Sequence, residues 1–346
     1  MNMSMNMSMT MSMTGPAAAD TPPLLELRDL CLSFQRQEHV AVDHVSLKIT
    51  AGRSLGLVGA SGAGKSSIAR AILRLVKPDS GEILFRGEDI YRMNSRQLKT
   101  ARQRIQLVFQ EPSLSLSPRR TVEQTLLEPL QHFAIGGVDD QREKIVQILQ
   151  TVGLDQGALK RYPHQFSSGQ QQRIAIARAL VTNPELLIAD EAVSALDVSI
   201  QAQILQLMQK LQKDFGITFL FISHDLAVIR QIADDVAVMY RGQVLEQSPA
   251  DRFFSGPAHP YSRTLLSFAQ GEIPSNWSGE NWNLQRNRSN AGNTAGCLFA
   301  GFCPDKMAVC ENLEPAMRYI QQENQHPLAP HCVKCHLYEE MESNEY

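Results

Sequence analysis

A glycine-rich loop between a predicted strand and a predicted helix constrains the fold of this chain most. The apolar run "RSLGLVGA" (residues 53–60) leads into "GASGAGKSS", and "SSIARAILRLV" then repeats apolar residues at helical spacing. The loop fits the pattern G-x-x-x-x-G-K-[ST] at Gly59, Gly64, Lys65 and Ser66, in the strand-loop-helix context that this motif requires. A chance glycine-rich turn is a poor explanation in that context, so the sequence predicts an α/β protein that binds nucleotide phosphates.

The residue types in this loop suit a nucleotide and its metal ion. Glycines let the backbone amides turn toward the phosphates, the Lys65 ammonium neutralises the β- and γ-phosphates, and the Ser66 hydroxyl reaches Mg²⁺. We therefore predict that ATP contacts the following residues of the loop: Gly59, Ser61, Gly62, Gly64, Lys65, Ser66 and Ser67.

Two adjacent carboxylates follow the apolar stretch "ELLIADEA", which is typical of a buried strand. Because neighbouring side chains on a strand point to opposite sides, we assign different roles to Asp190 and Glu191. Asp190 is predicted to hold Mg²⁺ through its water shell, and Glu191 is predicted to polarise a water aligned with the γ-phosphate. An acidic pair at a strand end is more often a solvated corner, but the upstream phosphate loop favours the catalytic interpretation.

Three more polar residues stand where predicted strands end. Gln110 follows "RIQLVF", His224 follows "FLFIS", and Asp197 lies in "SALD" beyond the acidic pair. A glutamine can sense the metal and the attacking water, and a histidine can donate a hydrogen bond to the γ-phosphate. Taken singly, each is more often a capping or surface residue. Together with the loop they predict catalytic roles for Gln110 and His224, a metal contact for Gln110, and a nucleotide contact for Asp197.

Changes in the hydrophobic pattern along the sequence predict the domain organisation of the chain. From Leu24 to about Lys48, apolar and polar positions alternate as in antiparallel strands. The pattern becomes helical from about Thr121, where "TVEQ" forms a capping box, and the strands "ELLIAD" and "ITFLFIS" follow later. This order predicts one nucleotide-binding domain over residues 24–268, with a helical subdomain at about 111–182.

The two ends of the chain differ from this domain. Residues 1–23 form a low-complexity tract that predicts a disordered leader. After about Phe268 a polar, Asn-rich stretch predicts a linker that separates the cysteine-rich end, within residues 269–346, from the nucleotide motifs. Cys31 stands alone, whereas the other cysteines fall within the last fifty residues. Metal or redox use of these thiols is favoured over a disulfide framework.

Composition excludes some functions. The 346 residues are 43% hydrophobic, and 33 basic against 36 acidic side chains leave a net charge of −3. That balance argues against a nucleic-acid partner held by non-specific electrostatics. No apolar run approaches the roughly 18 residues of a membrane helix, so any membrane association is expected to come through a partner.

The ordered motifs resemble those of the ATP-binding cassette (ABC) transporter ATPases, over about Leu24 to Phe268. The segment "FSSGQQQR", which carries no obvious base or nucleophile, stands where this family has its signature loop, usually written L-S-G-G-Q. Phe166 and Ser168 replace the leucine and the first glycine, and Gly169 keeps the second glycine. The resemblance implies a P-loop NTPase (RecA-like) core with an antiparallel β subdomain and a helical insertion, plus a small Cys-rich C-terminal region.

The resemblance also implies how the two loops share a nucleotide. In this family two cassettes pack head to tail, so that Ser167, Gly169 and Gln170 of one chain would close over the ATP held by Lys65 of the other. A helix N-terminus with such donors suits a γ-phosphate. Phe34, upstream of the phosphate loop, would stack on the adenine ring, although an ordinary core aromatic is an equally good interpretation of Phe34 alone.

The ending narrows the resemblance to one branch of the family. "HPYSRTLL" (residues 259–266) and the cysteine tail look like the ATPases of dipeptide, oligopeptide and nickel importers, and "DEAVSALDVSIQAQIL" is similar to the peptide and glutathione members. This implies a second ABC ATPase subunit, identical or a paralogue, two transmembrane permease subunits and a separate substrate-binding protein. The location implied is peripheral, on the cytoplasmic face of the inner membrane. The segment 110–120 and its adjoining helices would receive a short helix from the permease.

Three other functions compete with peptide import. A nickel importer of the same family is the nearest alternative. A non-transport ABC ATPase that works on nucleic acid or the ribosome is disfavoured by the near-neutral charge and by the single cassette. A module that senses ATP without hydrolysing it would be expected to lack Glu191 or Gly169, and both are present.

The cysteine tail allows three interpretations. Cys297, Cys303, Cys310 and Cys335 supply the four thiolates of a [4Fe-4S] cluster, an arrangement that related peptide-importer ATPases carry. Alternatively, Cys332 and Cys335 join a zinc site with nearby histidines, His331 and His336. The third interpretation is a set of reduced thiols without metal.

Overall fold

The computed structural model describes residues 22–34, 39–272, 295–320 and 331–339. Residues 1–21 of the predicted leader and 273–294 of the predicted linker lie outside these ranges. Within the described ranges, no helix combines the length and apolar character that crossing a membrane requires.

A small antiparallel sheet covers one face of the molecule. Its strands are β1 (Leu25–Phe34), β2 (His39–Ile49), β4 (Ser80–Phe85) and β5 (Glu88–Asp89), in the spatial order β2-β1-β4-β5. The alternating pattern seen in the sequence thus corresponds to paired antiparallel strands, as predicted.

The central sheet has eight strands among the described residues. They are β3 (Ser54–Val58), β6 (Ile105–Val108), β7 (Leu186–Asp190), β8 (Thr218–Ser223), β9 (Asp235–Tyr240), β10 (Gln243–Pro249), β11 (Met317–Tyr319) and β12 (Cys332–Lys334). The order is β11-β12-β10-β9-β3-β8-β7-β6, and the five strands from β9 to β6 are parallel. Their carboxyl ends therefore share one edge, the usual position of a ligand site in such sheets.

The α-helices join and cover these strands. They are α1 (Lys65–Ile72), α2 (Ser95–Arg104), α3 (Pro112–Ser115), α4 (Val122–Phe133), α5 (Val138–Thr151), α6 (Ser168–Leu180), α7 (Val198–Phe215), α8 (Leu226–Ile232), α9 (Ala250–Ser255) and α10 (Pro260–Ala269). The predicted capping box begins α4, because the Thr121 and Gln124 side chains each accept the other's backbone N–H. Helix α1 ends at Ile72, earlier than its apolar pattern suggests, and Arg74 just beyond it has a φ of 53°.

Two hydrophobic clusters lie on opposite faces of the central sheet. Alternate residues of β8 enter different clusters: Leu220 and Ile222 pack toward the antiparallel sheet, whereas Phe219 and Phe221 pack toward the helices. The strand is buried on both sides, which explains its continuous apolar sequence.

The C-terminal segment packs directly on this domain. Strand β12 pairs with β10, placing Val333 opposite Glu246 and thereby extending the central sheet. Phe299 is 1% exposed and belongs to the same cluster as Phe219. The described part of the cysteine-rich end thus lies against the nucleotide-binding domain, because apolar residues around Cys297 and Cys303 contribute to the main core.

Candidate ATP site

The phosphate loop, residues 59–66, is shaped by close backbone contacts. Gly59 and Gly64 have φ values of 153° and 105°, and a Cβ at these positions would lie 2.2 Å from the Met239 carbonyl oxygen and 2.0 Å from that of Ala41. Only glycine fits such positions. At Gly62 a Cβ would meet nothing within 4 Å, so this part of the loop faces open space.

The start of α1 is suited to an anion. Its N-cap, Gly64, makes no side-chain capping hydrogen bond, and the first amides of a helix lack intrahelical acceptors. The Lys65 side chain is buried, and its Nζ donates to the carbonyl oxygens of Gly59 (2.8 Å) and Ala60 (3.0 Å). Burial lowers the pKa of Lys65, and nearby Glu191 and Asp190 oppose that shift. A phosphate would supply further negative charge to this ammonium.

Asp190 and Ser66 form a pair of oxygen ligands at the end of β7. The Ser66 hydroxyl donates to Asp190 Oδ1 at 3.0 Å. Burial raises the pKa of Asp190, and the neighbouring Glu191 carboxylate adds to the shift. A divalent cation would relieve both effects, and hard oxygen donors are the ligands that Mg²⁺ prefers. The residues present therefore fit Mg²⁺.

Glu191 points to a different partner. Its Oε1 lies 3.0 Å from His224 Nδ1, at the end of β8. Glu191 adopts a left-handed backbone with a φ of 50°, and its amide donates to the Ile222 carbonyl oxygen at 2.9 Å. The structure thus brings Lys65, Ser66, Asp190, Glu191 and His224 to one edge of the parallel sheet.

The other predicted nucleotide contacts lie outside this hydrogen-bonded group. Gln110 is exposed, two residues beyond β6, and leaves the same sheet edge as Asp190 because Val108 pairs with Ala189. Asp197 is exposed and caps α7, accepting the Ile200 N–H at 3.0 Å. Phe34 is half-buried and packs against the core at the end of β1. The predicted roles of Gln110, Asp197 and Phe34 require contacts with bound nucleotide or with a partner chain.

The signature loop, residues 166–170, begins α6. Ser167 is the N-cap: its Oγ accepts the Gln170 N–H, and Gln170 Oε1 accepts the Ser167 N–H at 3.1 Å. Gly169 is buried, and a Cβ there would lie 2.4 Å from Cγ2 of Ile200. Ser168 is the first residue of the helix and is exposed.

The capping box leaves donors free for an anion. It uses one oxygen of Ser167 and one of Gln170 as acceptors, so the Ser167 O–H and the Gln170 side-chain NH₂ can still donate. The first amides of α6 add further donors at the positive end of the helix. This loop can therefore receive a phosphate without losing its own cap.

Two residues near the site escaped the sequence reasoning. The hydroxyl of Tyr261, a fully buried residue of α10, accepts the Ala60 N–H of the phosphate loop at 3.4 Å. The Tyr261 ring packs on Phe299 with a centroid distance of 5.4 Å. In α6, the buried Gln172 side chain donates to the Ala192 carbonyl oxygen at 2.7 Å, linking the signature helix to the acidic pair. The "HPY" tripeptide contains Tyr261, but neither contact could be predicted from a local pattern because both depend on tertiary folding.

Two of the tail thiols, Cys297 and Cys303, pack against the core cluster that contains Phe299. Burial raises the pKa of Cys303 and Cys335 to about 11, with Cys335 and Cys297 adding to the shift of Cys303, and Cys297 and Cys310 to that of Cys335. The Cys297 amide donates to the Cys310 carbonyl oxygen at 2.9 Å. For Cys332, burial by itself raises the pKa to about 11.

The spacing of the tail thiols and the partners of His331 and His336 help to distinguish the possible metals. Across the described ranges, the one group of three ligand atoms within 4.8 Å of each other lies elsewhere, so no three of these thiols lie that close together. His331 Nε2 lies 2.9 Å from Glu246 Oε1. His336 Nε2 donates to the Leu313 carbonyl oxygen at 2.8 Å, and its Nδ1 lies 2.7 Å from Glu339 Oε2. The histidines of the zinc alternative thus have other partners.

Comparison with known proteins identifies the family. Residues 42–194 match the ABC transporter family and residues 245–310 match the oligopeptide/dipeptide transporter C-terminal region. The chain is 42% identical over 339 residues to the oligopeptide transport ATP-binding protein AppF of Bacillus subtilis, covering 93% of this chain and 99% of that protein. It is 46% identical over 272 residues to the glutathione import ATP-binding protein GsiA of Pectobacterium atrosepticum, covering 76% of this chain and 43% of that protein.

Solved structures agree with this assignment. The cbiO1 structure from Clostridium perfringens, part of the ABC transporter complex cbiONQ, has a TM-score of 0.63 at 26% identity and covers 72% of this chain and 98% of its own. The dimeric post-hydrolysis structure of the ATP-binding cassette MJ0796 with ADP and Pi has a TM-score of 0.59 at 30% identity, covering 65% and 98% respectively. The predicted P-loop NTPase core is therefore confirmed, and the chain belongs to the ABC transporter ATP-binding subunits of the oligopeptide/dipeptide branch.

Proposed function

We propose that this chain is the ATP-hydrolysing subunit of an importer that takes up peptides of the dipeptide, oligopeptide or glutathione class. The observation that carries the proposal is the group of Lys65, Ser66, Asp190, Glu191 and His224 at one sheet edge. The names of the relatives support peptides as the cargo and do not favour the nickel alternative.

The side chains divide the work of hydrolysis. Lys65 and the amides of α1 hold the β- and γ-phosphates, and Ser66 and Asp190 would hold Mg²⁺, which would neutralise phosphate charge when bound. Glu191 accepts a proton from the attacking water, and His224 orients the Glu191 carboxylate through their 3.0 Å contact. In the assembled site, Gln110 aligns the water and the metal.

Replacing Glu191 tests this assignment. Glu191→Gln is expected to lower kcat by on the order of 10²–10⁴-fold while ATP still binds, because the amide cannot accept the proton. Glu185→Gln, just before the other end of β7, is the matched control and should keep near-normal turnover. Near-normal ATPase activity in Glu191→Gln would contradict the role given to that residue.

The working unit is a head-to-tail pair of cassettes. Ser167, Gly169 and Gln170 of one chain close over the ATP held by Lys65 of its partner, an identical chain or a paralogue. The donors left free by the capping box support this role. Two transmembrane permeases and a separate substrate-binding protein complete the transporter, with the cassettes bound peripherally at the cytoplasmic face of the inner membrane.

A groove of about 460 Å³ between the central sheet and the helical subdomain is the proposed permease-docking site. Leu75 and Phe109 line it and are 63% and 42% exposed, and Arg102 and Arg178 add charge. Leu116, in the segment expected to receive the permease, is 3% exposed and belongs to the core. Leu116 is therefore a poor probe of docking, because its replacement would destabilise the subdomain.

Leu75 is the sharper probe of this groove. Leu75→Ala is expected to weaken assembly with the permease by roughly tenfold, because an exposed apolar contact is lost, while the ATPase activity of the isolated cassettes stays the same. Val138→Ala, an 83% exposed valine at the start of α5 outside the groove lining, serves as the control. Loss of ATPase activity together with assembly would instead indicate misfolding.

We propose a [4Fe-4S] cluster on four of the tail thiols as a second bound group. Their mutual effects on pKa involve Cys297, Cys303, Cys310 and Cys335 and leave out Cys332. Four thiolates are the number of ligands that a [4Fe-4S] cluster takes. Because burial raises the pKa of Cys297, Cys303 and Cys335, cluster binding at these thiols would release protons.

Anaerobic purification tests the cluster. Iron and sulfide analysis should give four of each per chain for a [4Fe-4S] cluster, with a brown visible spectrum. Cys332→Ser should keep the colour and Cys303→Ser should lose it. A colourless protein with zinc, or with no metal, would exclude the cluster.

A further inference from the structure

A third group of metal-ligating side chains lies on the antiparallel sheet, outside the ATP site and the cysteine tail. Cys31 Sγ, an Asp43 carboxylate oxygen and a His44 ring nitrogen lie within 4.8 Å of one another. We propose that these three residues bind a divalent transition-metal ion of the zinc class. A thiolate, an imidazole and a carboxylate are ligands that Zn²⁺ commonly takes, and a water would complete a tetrahedral site.

The strand register explains why these side chains meet. Leu30 pairs with Val45 and Leu32 pairs with Val42, so Cys31 on β1 stands opposite both Asp43 and His44 on β2. Two residues opposite one constitute a β-bulge, which redirects side chains that regular alternation would send to opposite faces. The left-handed backbone of His44, with a φ of 50°, marks the same irregularity.

Outer hydrogen bonds hold two of the three ligands. His44 Nδ1 lies 2.7 Å from Asp29 Oδ1, and metal-binding histidines usually carry a carboxylate on their second ring nitrogen. Binding of the ion through Nε2 would keep this contact as the outer hydrogen bond. Asp43 Oδ2 accepts from the side-chain NH₂ of Gln243 at 2.7 Å, and Gln243 is 5% exposed. A buried partner of this kind fixes the position of the carboxylate.

Gln243 also connects the cluster to the C-terminal segment. Its Oε1 accepts from Lys334 Nζ at 2.9 Å, and its NH₂ donates to Glu314 Oε1 at 2.8 Å. On the other side, the Asp43 amide donates to the Gly242 carbonyl oxygen at 2.9 Å. An ion bound here would therefore brace the antiparallel sheet against the C-terminal segment. The half-exposed thiol and the exposed imidazole leave the site open to solvent.

Cobalt titration of the full-length, anaerobically purified protein tests the proposal. Co²⁺ serves as a spectroscopic substitute for Zn²⁺, and a thiolate ligand gives a charge-transfer band. Wild type is expected to bind one more equivalent of Co²⁺ than Cys31→Ser, and the band should disappear in that variant. Cys332→Ser, which removes a buried thiol elsewhere, is the matched control and should keep both.

Two further variants separate binding from folding. His44→Asn retains a residue that tolerates the left-handed backbone and should also lose the extra equivalent. Gln243→Ala should weaken Co²⁺ binding by about 10- to 100-fold, as expected for loss of an outer partner. Equal Co²⁺ stoichiometry in wild type, Cys31→Ser and His44→Asn would overturn the proposal, as would loss of the band in Cys332→Ser alone.

Discussion

The phosphate loop and the signature loop both place glycines at a helix N-terminus, yet the glycines serve different purposes. In the phosphate loop, Gly59 and Gly64 take positive φ values and lie against backbone carbonyls. In the signature loop, Gly169 is helical, and its small size makes room for the Ile200 side chain. Gly59 and Gly64 are required by backbone conformation, whereas Gly169 is required by side-chain packing.

The two helix starts differ in the same sense. Helix α1 has no side-chain cap, so its first amides can donate hydrogen bonds to the phosphates. Helix α6 is capped by its own Ser167 and Gln170. One loop is therefore shaped around a ligand, and the other is complete without one. A complete helix start with spare donors is what a surface that meets the nucleotide of another chain requires.

Among the changes that compare these two loops, Lys65→Ala in the phosphate loop is expected to have the largest effect. Loss of the buried ammonium should lower ATP turnover by on the order of 10²–10³-fold, because the phosphate charge is no longer balanced. Steady-state ATPase assays at saturating and limiting ATP would measure kcat and KM. Retention of more than about a tenth of wild-type kcat/KM would contradict the proposed role.

Gln170→Glu should distinguish the role of the signature loop from that of the phosphate loop. A glutamate at this position keeps the capping box and suits the helix dipole, but it places a negative charge where the γ-phosphate of the partner would dock. We expect about a 10²-fold loss of turnover with unchanged thermal stability. Gln124→Glu, at the equivalent position in the capping box of α4, is the matched control.

Mixing variants tests the action in trans. A Lys65→Ala chain still has an intact signature loop, and a Gln170→Glu chain still has an intact phosphate loop. If the chain pairs with itself, the mixture should recover up to one working site per dimer, although each variant alone has about a hundredth of wild-type turnover or less. No recovery in a demonstrated mixed dimer would show that both loops act on the same chain's nucleotide. For a pair of paralogues, the two variants are placed in the two different cassettes.

A smaller effect is expected for Gly169→Ala. The added Cβ would lie 2.4 Å from Ile200, and such overpacking should lower the free energy of unfolding by about 1–3 kcal/mol. Combining it with Ile200→Ala should recover part of that loss, because the two changes share one contact. Thermal unfolding of the single and double variants measures this coupling, and strict additivity would refute the packing explanation.

The smallest effect is expected for Ser168→Gly, which restores the usual glycine of the family. Ser168 is helical and exposed, and it is not among the positive-φ residues. Turnover should change by less than about twofold, with a loss of stability of roughly 0.5–1 kcal/mol at most. A large gain in activity would mean that the serine restricts closure on the nucleotide.

Sequence alone predicted the elements that local patterns determine. The strand-loop-helix around Lys65, the acidic strand end at Asp190 and the capping box at Thr121 all depend on residues close together in the chain. The capping box between Asn94 and Gln97 would have revealed α2 in the same way.

Contacts between distant parts of the chain were not predictable in this way. The fit of Ile200 against Gly169, the hydrogen bond from Ala60 to Tyr261, and the pairing of β12 with β10 join residues far apart in sequence. Their geometry depends on the complete fold. For the same reason, sequence could assign Leu116 to a surface segment although it is buried.

The left-handed backbone of Glu191 implies a trade-off between ATPase activity and the stability of the fold. A glutamate with a φ of 50° costs about 1–2 kcal/mol relative to residues that accept this conformation. Asparagine accepts it more readily, so Glu191→Asn should unfold at an equal or higher temperature while losing hydrolysis. Selection for a robust fold alone would then remove the carboxylate to which we assign the proton transfer. Engineering of thermostable cassettes should therefore hold this position fixed.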